Sequence, residues 1–192
     1  LCKEKFFEAK KQVADTDKTL KKALEGINKM FLEVRKKCDS QGIYIHESEI
    51  SDVFEQIKKR MPVFEKWLAE NQQALYYEAI LDLYFDLMGY MRISELYDNG
   101  YVTYIVNGDS LDTKLKLFCV NPSNQIRKFL QNARATIFFS ATLSPLEYYM
   151  TLLTGDAESK VLCLPSPFDP KNRKVLFSSD ISVKYKDREC SV

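Results

Sequence analysis

The stretch that decides the fold class is YVTYIVNGDSLDTKLKLFCV, residues 101–120 of the 192-residue chain. Its two flanks, 101–106 and 113–120, are rich in β-branched and aromatic residues, and lysine alternates with apolar residues in the second flank. The turn-forming sequence Asn-Gly-Asp-Ser at 107–110 separates them. Such flanks favour strands and Asn-Gly favours a tight turn, so the stretch predicts an antiparallel β-hairpin.

Upstream of this hairpin, residues 3–98 have the periodicity of amphipathic helices. The first stripe of apolar residues has spacings of four, three, four and three positions, so it predicts a long helix with lysines on its other face. The apolar residues of this stripe are Leu20, Leu24, Ile27, Phe31 and Val34. A second apolar stripe consists of Phe54, Ile57, Met61, Phe64 and Leu68. Pro62 lies within it, and we expect this proline to bend or divide the helix. A short segment before these stripes and a Tyr-rich segment at 73–96 complete the prediction of a helical bundle.

Downstream of the hairpin, the pattern indicates alternating helices and strands. Residues 123–133 predict a helix capped by Ser123. The apolar run 135–139 has the length and composition of a buried parallel strand in an α/β sheet. A helix from Pro145 to about Leu153 follows, because proline suits a first helical turn.

Three prolines at 165, 167 and 170 mark an extended linker after that helix. We expect a further strand near 175–178. The predicted fold class is therefore α+β, a mainly helical bundle with a hairpin followed by part of an α/β segment.

The charge balance excludes some function classes and leaves others open. Twenty-eight Lys and Arg against 27 Asp and Glu give a net charge of +1, so bulk charge indicates neither nucleic acid nor membrane. Residues 1–37 nevertheless hold eleven basic against six acidic residues. A basic helical face of that size can track a phosphate backbone, although a solvated lysine face is the simpler interpretation.

Several catalytic and metal motifs are missing from the sequence. His46 is the single histidine, there is no Gly-Lys-Ser or Gly-Lys-Thr loop, and no Asp-Glu pair occurs. We therefore predict no metal site and no nucleotide-binding residues, and we expect any ATPase centre to lie elsewhere. The five cysteines, at 2, 38, 119, 163 and 190, are scattered, as free thiols in a reducing cytoplasm are.

Other features indicate a soluble, cytoplasmic piece of a longer protein. The chain starts at Leu1, its first residues lack the features of a secretory signal, and charged residues interrupt its longest apolar stretch at 74–91. We expect no membrane partner.

Ser140 and Thr142 are the candidate site residues. With Ala141 they follow the predicted strand 135–139, and α/β sheets bind ligands at the carboxyl ends of their strands. From the residues alone, Ser-Ala-Thr is either a polar site of this kind or a strand-to-helix turn with hydroxyl caps.

The stretch 135–149 resembles the third motif of DinG/XPD-type superfamily 2 DNA helicases, in which Ser-Ala-Thr or Ser-Gly-Thr is followed by Leu-Ser-Pro. Residues 140–145 match this motif directly. Three further stretches look like the same family and occur in its order: Leu-Phe-Cys-Val-Asn-Pro-Ser at 117–123, Ser-Pro-Phe-Asp-Pro-Lys-Asn-Arg-Lys-Val at 166–175, and Tyr-Lys-Asp-Arg at 185–188.

This resemblance implies a domain organisation. Residues 1–112 would form a helical Arch domain that includes the start of the hairpin. Residues 113–171 would form the C-terminal part of the first, RecA-like motor domain, and residues 172–192 would begin the second motor domain. The ATP-binding loop and acidic ATPase segment, together with an iron–sulfur cluster where the family has one, would lie upstream.

The resemblance also implies an activity for the intact protein: unwinding of duplex DNA by ATP- and Mg²⁺-dependent movement along single-stranded DNA. Ser140 and Thr142 would couple ATP hydrolysis to unwinding rather than perform chemistry, and the isolated chain is predicted to be inactive. Which residues contact DNA, and whether the chain forms oligomers, is not implied. The alternative function is a helical protein-interaction module without DNA affinity of its own, with a protein partner bound through the helices.

Overall fold

Helices and one antiparallel sheet form the structure, so the α+β prediction is confirmed. The structure is a computed structural model that describes residues 1–13, 17–108, 112–154 and 159–177. The chain divides into two units, Leu1–Ala157 and Glu158–Val192. The predicted domain boundaries at 112/113 and 171/172 remain predictions.

The first unit contains the helices and the sheet. The helices are α1 (Lys3–Gln12), α2 (Lys18–Arg35), α3 (Ser51–Lys58), α4 (Met61–Glu70), α5 (Tyr77–Glu95), α6 (Ser123–Leu130) and α7 (Leu146–Thr154). The strands are β1 (Ile43–His46), β2 (Tyr101–Asn107) and β3 (Thr113–Cys119). In the second unit, Pro170–Asn172 forms a short 3₁₀ turn, in which Asp169 accepts a hydrogen bond from the Lys171 amide at 2.9 Å. No strand is present at 175–177, and residue 178 lies outside the described residues.

The core of the bundle is the predicted apolar stripe of α2. All five of its side chains are buried, and their removal from water stabilises the fold by about 1.5–3 kcal/mol each. On α1, Phe6 packs against Phe31 with the ring centroids 5.7 Å apart, while its neighbour Phe7 is 47% exposed. The bundle therefore uses one face of each of these two helices.

Pro62 divides the second predicted helix in two, as expected. Helix α3 ends at Lys58, and α4 begins at Met61 with the proline in its first turn, where a missing amide proton costs no helical hydrogen bond. Ile57 and Phe64, on either side of the break, are both fully buried. The stripe therefore continues across the two short helices.

The predicted hairpin is present, and the sheet has one strand more than the sequence suggested. Strands β2 and β3 pair antiparallel, with Ile105 opposite Leu115 and both side chains fully buried. Strand β1, which the sequence pattern did not predict, pairs antiparallel with the other edge of β2. The sheet order is β1-β2-β3, and the helices cover the face that carries Ile105.

The start of the chain lies beside β3. The Leu1 nitrogen donates to the Leu115 carbonyl at 2.7 Å, and the Leu115 amide donates to the Leu1 carbonyl at 2.8 Å. Cys2 forms the next antiparallel bridge with Lys114. The backbone entering α1 and the backbone leaving the hairpin are therefore neighbours.

Helices α6 and α7 confirm two predicted helices, but the predicted cap is wrong. Ser123 is the first helical residue of α6 and makes no side-chain cap. Instead, the Asn121 side-chain oxygen accepts a hydrogen bond from the Ser123 amide at 3.0 Å. Asparagine two positions earlier forms this local turn because its short side chain reaches the backbone ahead of it. Within the described parts of the chain, we find no helix with the length and apolarity that crossing a membrane requires.

Candidate coupling site

The residues before the candidate site do not form the predicted strand. Residues 135–140 have no regular secondary structure, and all of them are exposed, including Ile137 at 83% and Phe139 at 90%. The prediction of a buried parallel strand is therefore wrong for this chain. A parallel strand needs neighbouring strands for its amides and carbonyls, and the sheet of the described residues consists of β1, β2 and β3 alone.

Ser140 and Thr142 lie together on the turn that follows. Their hydroxyl oxygens are 3.1 Å apart, and the Thr142 amide donates to the Ser140 hydroxyl oxygen, also at 3.1 Å. The Ser144 amide in turn donates to the Thr142 carbonyl at 2.8 Å. The serine side chain thus takes the place of a backbone acceptor and holds the turn, as serine does in tight turns.

Both hydroxyls face solvent, since both residues are exposed. A serine nucleophile needs a neighbouring general base. In the part of the chain that the structure describes, the side-chain partner of the Ser140 hydroxyl is Thr142. Each of these exposed hydroxyls can donate and accept hydrogen bonds with a further partner.

Helix α7 begins four residues after Thr142 and packs against α6. Its threonines bond to its own backbone: the Thr151 hydroxyl donates to the Glu147 carbonyl at 3.0 Å, and the Thr154 hydroxyl donates to the Met150 carbonyl at 2.8 Å. The threonine hydroxyls of α7 thus donate to backbone carbonyls of the same helix, whereas the hydroxyls of Ser140 and Thr142 bond to each other in the turn.

Helix α6 is fastened to the bundle through the segment between α5 and β2. The Gln125 amide is buried and donates to the Leu96 carbonyl at 2.6 Å and to the Asp98 carboxylate at 2.9 Å. The Gly100 carbonyl accepts from the amides of Val120 and Asn121, at 2.8 and 3.0 Å. These hydrogen bonds hold α6 against the bundle, and α6 is the helix that precedes the candidate turn in the chain.

These fastening residues were missed by the sequence analysis. Neither Gly100 nor Gln125 was among the predicted functional residues. The sequence does carry a signal in the glycine, because glycine is common where two backbones approach closely. Gln125 gives no such signal, since its partners lie more than 25 positions away.

His46 is an exposed residue at the end of β1, and it takes part in a local turn. Its Nδ1 accepts a hydrogen bond from the Ser48 amide at 3.0 Å and lies 2.7 Å from the Ser48 hydroxyl oxygen. Its ring also stacks on Tyr44 with 5.8 Å between centroids. These contacts give the single histidine a structural role at the end of the strand.

Cys2, Glu4 and Asp112 place three potential metal-ligand atoms within 4.8 Å of one another. Asp112 is already engaged: its carboxylate accepts from the Cys2 thiol at 3.2 Å and from the Glu4 amide at 3.2 Å, and it lies 3.7 Å from the Lys114 ammonium. These contacts join the start of α1 to the start of β3. The group is explained as a structural junction.

The structure brings the two predicted site residues together, in a turn that no buried strand precedes. Elsewhere in the bundle, burial raises the pKa of the Cys38 thiol, and Asp39 adds to the effect.

No family model, no curated protein and no solved structure matches this chain.

Proposed function

We propose that this chain is the middle part of an ATP-driven motor that moves along single-stranded DNA and unwinds duplex, with Ser140 and Thr142 coupling ATP hydrolysis to unwinding. ATP and Mg²⁺ would bind outside residues 1–192, as would an iron–sulfur cluster if the intact protein has one. The intact protein would be cytoplasmic. The ordered sequence matches between 117 and 188 suggest this function, and three features of the structure support it.

The first supporting feature is the pairing of Leu1 with Leu115. A domain inserted into a loop of another domain needs its entering and leaving backbone to lie close together. The two residues exchange both backbone hydrogen bonds, at 2.7 and 2.8 Å. Residues between them can therefore extend from a host domain as an Arch without disturbing it.

The second feature is the exposed apolar stretch at 135–139. Monomeric soluble proteins rarely leave such a contiguous apolar segment uncovered, so it needs a partner surface. Strands of a motor domain encoded outside this chain would supply both the hydrogen bonds and the cover. Under this proposal, residues 135–139 have no regular secondary structure here because the strands that would pair with them lie outside this chain.

The observation that carries the proposal is the exposed hydroxyl pair, 3.1 Å apart, directly after that stretch. Each hydroxyl can exchange its present partner for a group on a neighbouring surface at little net cost in free energy, because hydrogen bonds in an exposed turn compete with water. A change in the neighbour's position would then be passed to α7 through the turn. That is the behaviour expected of a coupling element with two arrangements.

The direct test is ATP hydrolysis by two proteins. A protein extended both upstream and downstream to its full reading frame, so that it contains both motor domains, should hydrolyse ATP, and single-stranded DNA should stimulate the rate. The 192-residue chain alone should show no turnover above buffer. Turnover by the short chain, or an extended protein that DNA does not stimulate, would overturn the proposal.

A protein-interaction module is the second candidate, and exposed apolar side chains on the helical part favour it. Phe85 on α5 is 60% exposed, and Leu75, just before that helix, is fully exposed. An apolar docking surface loses little affinity when salt is raised, whereas phosphate contacts weaken steeply. The salt dependence of binding therefore separates the two candidates.

A further inference from the structure

The outer face of α2 and the residue that caps its end carry a line of lysines, which we call the lysine ridge: Lys18, Lys22, Lys29 and the C-cap Lys36. Their spacings of four, seven and seven positions place them on one side of the helix. All four are exposed, and they lie opposite the buried stripe that contains Leu24 and Ile27. At 1.5 Å of rise per residue the ridge is about 27 Å long.

The lysine ridge has few competing charges. Among the described residues, no carboxylate lies within ion-pair distance of its four ammonium groups. Glu25 is on the same face, but Lys10 of α1 binds it at 3.0 Å. This hydrogen bond with Lys10 lowers the pKa of Glu25. Glu33 is the remaining acid, and the face is clearly positive.

An exposed aromatic ring lies on α1, the helix that packs against α2. Phe7 lies one helical turn before Lys10 on the same side of α1, and Lys10 reaches α2. The Phe7 ring is 47% exposed, and the Lys11 ammonium lies 4.4 Å from its centroid. Phe6, the adjacent residue, already fills the core, so packing of the bundle does not require Phe7.

We infer that the lysine ridge and Phe7 form a contact surface for single-stranded nucleic acid, in which the lysines bind phosphates and the Phe7 ring stacks on a base. Proteins that hold single strands combine a positively charged track with exposed aromatic rings in this way. The choice of a nucleic acid rather than another polyanion rests on the proposed function. A single strand is favoured over duplex because a ring can stack only on an unpaired base.

The test measures binding of the 192-residue chain to a fluorescent 20-nucleotide single strand, by anisotropy at several salt concentrations. Four phosphate contacts predict a slope of log affinity against log salt of about −2.8. The variant Lys22→Gln/Lys29→Gln should reduce that slope by about 1.4 and weaken binding at low salt. The matched control Lys58→Gln/Lys59→Gln removes two exposed lysines from α3 and its end, and should leave the slope unchanged.

Phe7→Ala supplies an independent readout. It should lower affinity at least about fivefold while leaving the salt slope unchanged, because stacking releases no counterions. Duplex of the same sequence should not respond to Phe7→Ala. Circular dichroism and the thermal midpoint of each variant should match those of the parent chain.

Three outcomes would overturn the inference. The first is an equal loss of affinity in the ridge and control variants, and the second is no binding of the single strand by the parent chain. The third is binding of polyglutamate as tight as that of the single strand, which would indicate an acidic protein partner. None of them decides whether the extended protein is a DNA-stimulated ATPase, so failure of the ridge and failure of the proposed function are separable.

Discussion

Gly100 lies so close to Asn121 that a β-carbon at position 100 would overlap the Asn121 carbonyl oxygen. The same glycine accepts hydrogen bonds from the amides of Val120 and Asn121. This contact joins the end of the helical bundle to the start of α6. It is a backbone-to-backbone approach, which flexible side chains cannot relieve.

We therefore expect Gly100→Ala to destabilise the fold by roughly 3 kcal/mol, the upper end of the cost of overpacking. Gly89→Ala is the matched control. Gly89 lies within α5 with nothing within 4 Å of an added β-carbon, so alanine there should stabilise the helix by about 1 kcal/mol. Urea unfolding of both variants measures the difference. Equal effects at the two positions would show that the Gly100–Asn121 approach is not as described.

Phe6 and Phe7 are neighbours in sequence with opposite environments. Phe6→Ala should destabilise the fold by about 3–5 kcal/mol, because the fully buried ring leaves a cavity beside Phe31. Phe7→Ala should cost less than about 1 kcal/mol, because nearly half of its ring is exposed. Denaturant midpoints at constant m-value would check both expectations. A larger cost at Phe7 would place α1 in a different rotation.

The stability of the fold should fall in alkaline solution. Burial raises the pKa of the Tyr90 phenol, and the charge of Glu49 adds to the effect. The folded state therefore keeps this proton at a pH where the unfolded state, with an ordinary pKa of about 10, loses it. Stability is complete below that pH and decreases above it, by up to about 1.4 kcal/mol per pH unit from this residue.

Tyr90→Phe tests this dependence, since phenylalanine fills the same space without an ionisable group. The unfolding free energy of the variant should fall less steeply between pH 9.5 and 11. Chemical unfolding at a series of pH values gives both slopes. Identical slopes for variant and parent would assign the alkaline loss to other groups.

The helices could be predicted from the sequence because their signal is local. The stripe from Leu20 to Val34 repeats with the helical period, and the structure buries every member. Pro62 likewise predicted the break between α3 and α4, because proline is tolerated in the first turn of a helix but not in its interior. In both cases each residue that decides the structure lies within about one helical turn of the next residue that it must match.

Two of the errors, the missed strand β1 and the predicted strand at 135–139, have the opposite cause, since they concern partners far away in the chain. Strand β1 has four residues, and Ile43 pairs with Val106, more than 60 positions later. Such a short segment has too little pattern to be distinguished from a loop. The run 135–139 has the apolar pattern of a buried strand, but a pattern shows only that residues favour burial and not what covers them.

For the candidate site, the sequence identified Ser140 and Thr142 but not their mutual contact. The spacing of two positions is that of a side-chain-to-backbone turn, and the structure shows this bond from the Thr142 amide to Ser140. The sequence interpretation left a polar site and a capped turn as alternatives. The structure shows a turn whose hydroxyls are exposed, so it retains the capacity for a further partner.

If the hydroxyl pair of Ser140 and Thr142 couples ATP hydrolysis to unwinding, the ratio of the unwinding rate to the DNA-stimulated ATP hydrolysis rate tests this role most directly. In the full-length protein, unwinding and DNA-stimulated ATP hydrolysis would be measured for Ser140→Ala/Thr142→Ala beside Thr151→Ala/Thr154→Ala, which removes two hydroxyls from α7. We predict that the first variant loses about tenfold in unwinding, as expected for one or two lost hydrogen bonds, with ATP hydrolysis nearly unchanged. The control should keep both activities. Equal loss of unwinding and hydrolysis in the first variant would contradict the coupling role.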